Sequence, residues 1–309
     1  MIAKNLFLVI LISVLFFSCT ENNDEKLSDE KLKVTSTTGI ITDALEYIAG
    51  DKIEIVATIC GPGIDPHSYI PTTQDIININ NSDLILYNGL NLEAKMGDIF
   101  ESLEKSKAIA LADAIPKDSL INNSTKSDIL DFDPHIWNDP LLWINSVNLL
   151  INVLSEKMPE NKELFRKKGN EYIENLKSAY NYAKSKYDLL PVNQRVIISE
   201  HDAFQYFARA YNFEVHSVLG MNTDTEAGIK TIQDLTDYIV KNKIKSLFAE
   251  TIINHRGIQA LVNSSNNRGW EINIADQPLY SDALDKNPPR NSLTGIMKYN
   301  ADVIYEALK

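Results

Sequence analysis

From about residue 33 onward, short runs rich in β-branched and aliphatic residues alternate with longer amphipathic stretches, the pattern of an α/β protein with parallel strands. The first half predicts strands at KVTST (33–37), EIVAT (54–58), LILYN (84–88) and AIALA (108–112). The second predicts RVIIS (195–199), EVHSV (214–218), SLFAE (246–250) and EINIA (271–275). Between the halves, Pro159 to Leu190 carries one long helical pattern, opened by a proline suited to a first turn and closed before Pro191. Phe165, Tyr172, Leu176, Ala179, Ala183 and Tyr187 recur on one face of it. At 1.5 Å per residue such a helix is about 45 Å long, enough to run the height of two small domains and to restrain their relative motion. The expected architecture is therefore two four-stranded parallel α/β domains, 33–158 and 191–309, joined by a linking helix over 159–190, with no close internal repeat.

The first 32 residues break that pattern. Lys4, the apolar run Leu6 to Phe17 and the small Ser18 read as a secretory signal over 1–18, too short for a bilayer-spanning helix of about 20 residues. Phe16-Phe17-Ser18-Cys19 resembles the lipobox of bacterial lipoproteins, with Phe where Leu is usual, and implies a chain lipidated at Cys19. The polar run that follows predicts a flexible tether completing 19–32. Cys60, the other cysteine, lies in a strand-like apolar run without a partner and predicts a buried thiol. The formal charge of −12 becomes −13 when Lys4 leaves with the signal. That acidity argues against nucleic acid, whose phosphates require a basic face.

Chemistry concentrates in the histidines. Of five, three stand in short polar runs, Asp-Pro-His67, Asp-Pro-His135 and Glu-His201-Asp, and Asp282 in PLYSDAL is the best carboxylate to complete a set. Neutral imidazoles with one carboxylate suit a first-row divalent metal. His67 follows the second predicted strand, His201 the fifth and Asp282 the eighth; open α/β sheets bind ligands beyond the carboxyl ends of their strands. His135 precedes a helix starting near Leu141. The four are thus expected in the cleft between the halves.

At these residues the chain resembles the TroA-like zinc and manganese solute-binding lipoproteins of bacterial ABC importers. The resemblance runs through GPGIDPHSYIPTTQDI (61–76), DLILYNGLNLEAKM (83–96), DPHIWNDP (133–140), SEHDAFQYFARAY (199–211), NTDTEAG (222–228), LFAETIINHRGIQAL (247–261) and PLYSDAL (278–284). It implies one Zn2+ or Mn2+ held as cargo by His67, His135, His201 and Asp282. It also implies a monomer with no catalytic activity, anchored to a bacterial membrane, facing the periplasm or exterior, and serving a permease and its ATPase. Zinc-specialised relatives often carry a His-rich loop before the second ligand; 117–133 has acids and no histidine, which leaves zinc and manganese both open. His255, where relatives often have Pro, and the absence of a Gly-rich stretch in 285–292 are departures from the family pattern.

Asp65, Asp133 and Asp202 are candidate acceptors for the other imidazole nitrogens, or else turn and cap residues. Glu250 is expected in a structural or supporting place, and His216 and His255 in packing or surface places. The rival functions are a zinc hydrolase, an adhesin-type lipoprotein with a structural metal, and a receptor for metal chelates. Against the first, the sequence has no HExxH run, no Gly-x-Ser-x-Gly elbow and no phosphate loop, and four protein ligands would close a tetrahedral site.

Overall fold

A computed structural model describes residues 31–123, 131–221, 223 and 227–309. The expected signal, Cys19 and all but the end of the tether lie outside these residues, as do parts of the 117–133 and 222–228 segments. In chain order the elements are β1 (Leu32–Thr38), α1 (Gly39–Ala49), β2 (Ile53–Cys60), α2 (Thr73–Asn81), β3 (Leu84–Tyr87), α3 (Gly97–Ser102) and β4 (Ala108–Ala110). After these come α4 (Pro140–Lys157), α5 (Lys162–Tyr187), β5 (Val196–Ser199), α6 (Gln205–Tyr211), β6 (Glu214–Ser217) and α7 (Ile229–Asn242). The chain ends with β7 (Ser246–Leu247), α8 (Arg256–Asn267), β8 (Asn273–Ile274) and α9 (Leu293–Leu308).

Every predicted strand is present. The first four form one parallel sheet in the order β2-β1-β3-β4. The last four occur as two parallel pairs, β5-β6 and β7-β8, with Phe248 N–H donating to Ile198 O at 2.9 Å between them. Side-chain caps start several helices, since the first turn leaves N–H groups without intrahelical partners. Thr38 caps α1, Thr72 and Asp75 form a reciprocal box on α2, Ser292 caps α9, and Asp139 ahead of Pro140 accepts from Leu141 N and Leu142 N of α4.

The long helix is α5, entered through a 3-10 turn at Pro159–Asn161 and ending at Tyr187, three residues short of the predicted limit. Leu189 and Leu190 form a closing turn, with Leu190 N bonded to Tyr187 O at 2.9 Å, because Pro191 cannot continue a helix. All six residues of the predicted stripe are buried. Phe165, Tyr172 and Leu176 enter a core with β1, α1 and α4, whereas Ala183 and Tyr187 enter another with Phe204, Phe207 and Ile304. One rigid element thus contributes to the hydrophobic interior at both of its ends. Cys60 is buried and unpaired, as its surroundings predict.

Near the C-terminus the chain folds back sharply on α9. A Cβ on Gly295 would stand 1.7 Å from the carbonyl oxygen of Pro289. Alanine in a helix is ordinarily favoured over glycine by about 1 kcal/mol, but here the neighbour is backbone and cannot rotate aside. Gly295→Ala is therefore expected to lower stability by about 1–3 kcal/mol in urea denaturation; an unchanged or raised midpoint would show that the 285–292 segment yields freely.

Candidate metal centre

The two Asp-Pro-His runs fold alike. In each, the aspartate side chain accepts a hydrogen bond from the histidine backbone N–H two residues on, at 2.9 Å in both cases. This is an Asx turn around the proline, and it turns the histidine side chain out of the loop. The second run adds an interaction: Asp133 Oδ1 also lies 2.7 Å from His135 Nδ1. In the first, Asp65 instead takes Ser68 Oγ and, from a distant loop, Thr223 Oγ1 at 2.5 Å.

His201 leaves the end of β5 and meets Glu250, which pairs with Leu279 in an isolated parallel bridge. One Glu250 oxygen accepts from His201 N at 2.9 Å and the other lies 2.7 Å from His201 Nδ1. Asp282 sits on a buried segment held from several sides. Leu279 N bonds Ala249 O, Asn300 exchanges two hydrogen bonds with the Tyr280 backbone, and Trp137 Nε1 donates to Ser281 O at 2.8 Å.

These segments bring the four predicted residues together. One ligand-type atom from each of His67, His135, His201 and Asp282 lies within 4.8 Å of the others, and the side chains are at most 2 % exposed. The Nε2 atoms of His67 and His135 are 3.0 Å apart. Asp282 Oδ2 is 3.3 Å from His67 Nε2 and 3.2 Å from His201 Nε2, and Oδ1 is 3.8 Å from His135 Nε2. A tetrahedral ion with bonds of about 2.0–2.1 Å has ligand edges of roughly 3.3–3.4 Å, so the spacing fits. With Nδ1 of His135 and His201 turned to carboxylates, their Nε2 atoms face inward. Asp282 Oδ1 is buried with no hydrogen-bond partner, and a buried carboxylate oxygen of that kind requires a proton or a cation. The group could hold a metal ion.

The remaining candidates separate from it. The Asp202 side chain accepts from Gln205 Nε2 and no ligand imidazole, so it serves the start of α6. His216 pairs with Glu214 at 2.8 Å and packs on Tyr238. His255 is half-exposed just before α8. Glu250 takes the supporting place expected of it. The sequence reading missed three side chains that brace the site: Trp137, Asn138, which donates to Ala203 O at 2.9 Å, and Tyr206, whose hydroxyl donates to Asp133 O at 3.0 Å. All lie inside the motifs quoted above, two to five residues from a candidate ligand, which is the only signal that marked them.

Electrostatics divides the histidines. Burial pushes the His67 imidazole below its ordinary value despite Asp282. Burial acts on His135 in the same sense, but the carboxylates of Asp282 and Asp133 outweigh it and the shift is upward. His201 rises well above the imidazole range, desolvation being overcome by Glu250 and Asp282. Asp282, which burial alone would raise, is held well below the carboxylate range by His201 and His135.

An α/β protein with a buried three-histidine, one-aspartate group is what sequence and geometry together define. Residues 34–307 match the model of the ZnuA family, the periplasmic component A of the zinc-uptake complex, and the chain belongs to this family. It is 35% identical over 293 residues to the manganese-binding lipoprotein MntA of Bacillus subtilis (strain 168), covering 94% of each chain. It is 34% identical over 294 residues to the zinc-binding protein TroA of Treponema pallidum (strain Nichols), again covering 94% of each. The solved structure of the periplasmic zinc-binding protein TroA from Treponema pallidum superposes with a TM-score of 0.85 at 36% identity, covering 90% of this chain and 99% of that one.

A raised value favours the protonated imidazole, most of all at His201 where the shift is large, and a metal must displace that proton. Loading at about pH 7 is therefore expected to release protons, and affinity to fall roughly tenfold per pH unit for each proton displaced as pH drops through the raised imidazole values. Calorimetry in two buffers of different ionisation enthalpy measures this. Buffer-independent heats with affinity constant between about pH 8 and 6 would contradict it.

Proposed function

We propose that the chain is the extracytoplasmic substrate-binding component of an ABC importer. In this reading it captures one Zn2+ or Mn2+ with His67, His135, His201 and Asp282 and delivers it to a membrane permease driven by a separate ATPase. The observation that carries the proposal is the convergence of four ligand-type atoms in a buried site, with Oδ1 of the converging carboxylate, Asp282, unpartnered. Relatives named for manganese and for zinc resemble the chain to almost the same degree, and they support the divalent class without choosing within it. The donor set itself favours zinc over manganese in affinity, by ligand softness and the Irving–Williams order.

The same reading has Cys19 lipidated after removal of 1–18, which places a monomer on the outer side of a bacterial membrane at the end of the 19–32 tether. Domains at 33–158 and 191–309 joined through 159–190 complete it. Relatives that are lipoproteins of metal transporters support the envelope location. Among the described residues no helix is long and apolar enough to cross a membrane.

The test is a metal titration of the stripped protein. One equivalent of zinc is expected to bind, with manganese displaced at equal free concentration, while circular dichroism of the metal-free form stays nearly unchanged. His67→Ala and Asp282→Ala are each expected to weaken binding by about a hundredfold or more without loss of secondary structure. Normal binding by both variants would refute the ligand set, and unfolding on chelation would indicate a structural metal.

A further inference from the structure

Between β3 and α3 the backbone passes through three consecutive residues in the left-handed region: Gly89 (φ 86°), Leu90 (φ 52°) and Asn91 (φ 62°). Leucine in particular avoids that region for steric reasons, so the surroundings must hold the turn in place. The holding group is Glu93, only 3 % exposed. Its Oε1 accepts from Thr37 Oγ1 at 2.6 Å and from Asn88 N at 2.8 Å, and its Oε2 accepts from Gly89 N at 3.3 Å.

The turn aims one side chain at the metal centre's own backbone. Asn88, equally buried, donates through Nδ2 to Pro134 O at 2.9 Å and to Gly89 O at 3.1 Å. Its own carbonyl accepts from Ala112 N at 2.9 Å, which ties the turn to the residues after β4. Pro134 lies between Asp133 and His135, and its carbonyl belongs to the peptide that carries the His135 Cα. Rotation of that peptide would swing the imidazole away from both Asp133 and the centre. Asp133 restrains the histidine from one side, through its N–H and Nδ1. Asn88 restrains the intervening peptide from the other.

We propose that Asn88, fixed by the Glu93-held turn, is a positioning residue for His135: its amide orients the Pro134 carbonyl, and through it the direction in which His135 Nε2 faces. This rests on the reading of His135 as a metal ligand. Asn88 touches no metal. Its effect is transmitted wholly through one histidine, which separates this role from general support of the fold.

The experiment is a double-mutant cycle of Asn88→Ala and His135→Ala, read by competitive zinc titration and by the visible absorption of bound Co2+, which reports coordination geometry. Asn88→Ala is expected to weaken zinc binding about tenfold, the order found when groups supporting a metal ligand are removed. Its Co2+ spectrum should shift toward that of His135→Ala. In the His135→Ala background the same substitution should cost nothing further, within about twofold. Additive losses, or wild-type affinity and spectrum in Asn88→Ala, would overturn the proposal. Should the alanine variant fail to fold, Asn88→Ser, which keeps a small polar side chain too short to reach the same carbonyl, carries the same expectations. Absence of zinc and Co2+ binding by the unaltered protein would overturn the metal reading beneath it, an outcome distinct from either.

Discussion

Three imidazole nitrogens and a carboxylate gathered within 4.8 Å of one another in a buried site make an arrangement that no chain adopts for the sake of its own stability. Burial penalises every charge in it, and like-charged imidazoles placed side by side disfavour one another. Two acidic side chains, Asp133 and Glu250, relieve the first problem by holding the outer nitrogens of His135 and His201 at 2.7 Å. The remaining structure resists collapse of the group. Trp137, Asn138 and Tyr206 fasten backbone carbonyls of Ser281, Ala203 and Asp133, residues one or two positions from three of the four candidate ligands. The cores beneath them share α5, so the loops rise from a common rigid support.

Much of this was legible in the sequence because it depends on local patterns. The strand runs and the stripe along α5 are periodicities, and burial is what creates a periodicity. The Asp-Pro-His runs were recognisable since the turn that projects the histidine is built from those three residues. What was not legible is contact at long range. Asp65 and Asp133 occupy equivalent places in near-identical runs, yet only Asp133 engages the imidazole as well as the backbone. Asp202, adjacent to His201, faces Gln205, while Glu250, 49 residues further on, takes the histidine. Proximity in sequence was misleading there because the end of β7 lies beside the end of β5, and sheet topology decides which carboxylate arrives.

The second half shows a related limit. Its strands were expected as one four-stranded unit and occur as two parallel pairs, with β7 and β8 of two residues each. A run such as SLFAE reads as a full strand from composition, but after Leu247 its backbone partners change. Phe248 bonds to β5, and Glu250 pairs with Leu279 beside Asp282. The ladder is interrupted where the chain has to deliver side chains to the centre.

Burial of the four candidate ligands, none more than 2 % exposed, bears on rate as well as on affinity. An ion seated among them would be shut off from solvent, so its arrival and departure would require at least one of the contributing segments to move aside. The pace of exchange would then be set by backbone motion of segments that contacts such as Trp137 Nε1 to Ser281 O hold in place, and not by the metal–ligand bonds alone.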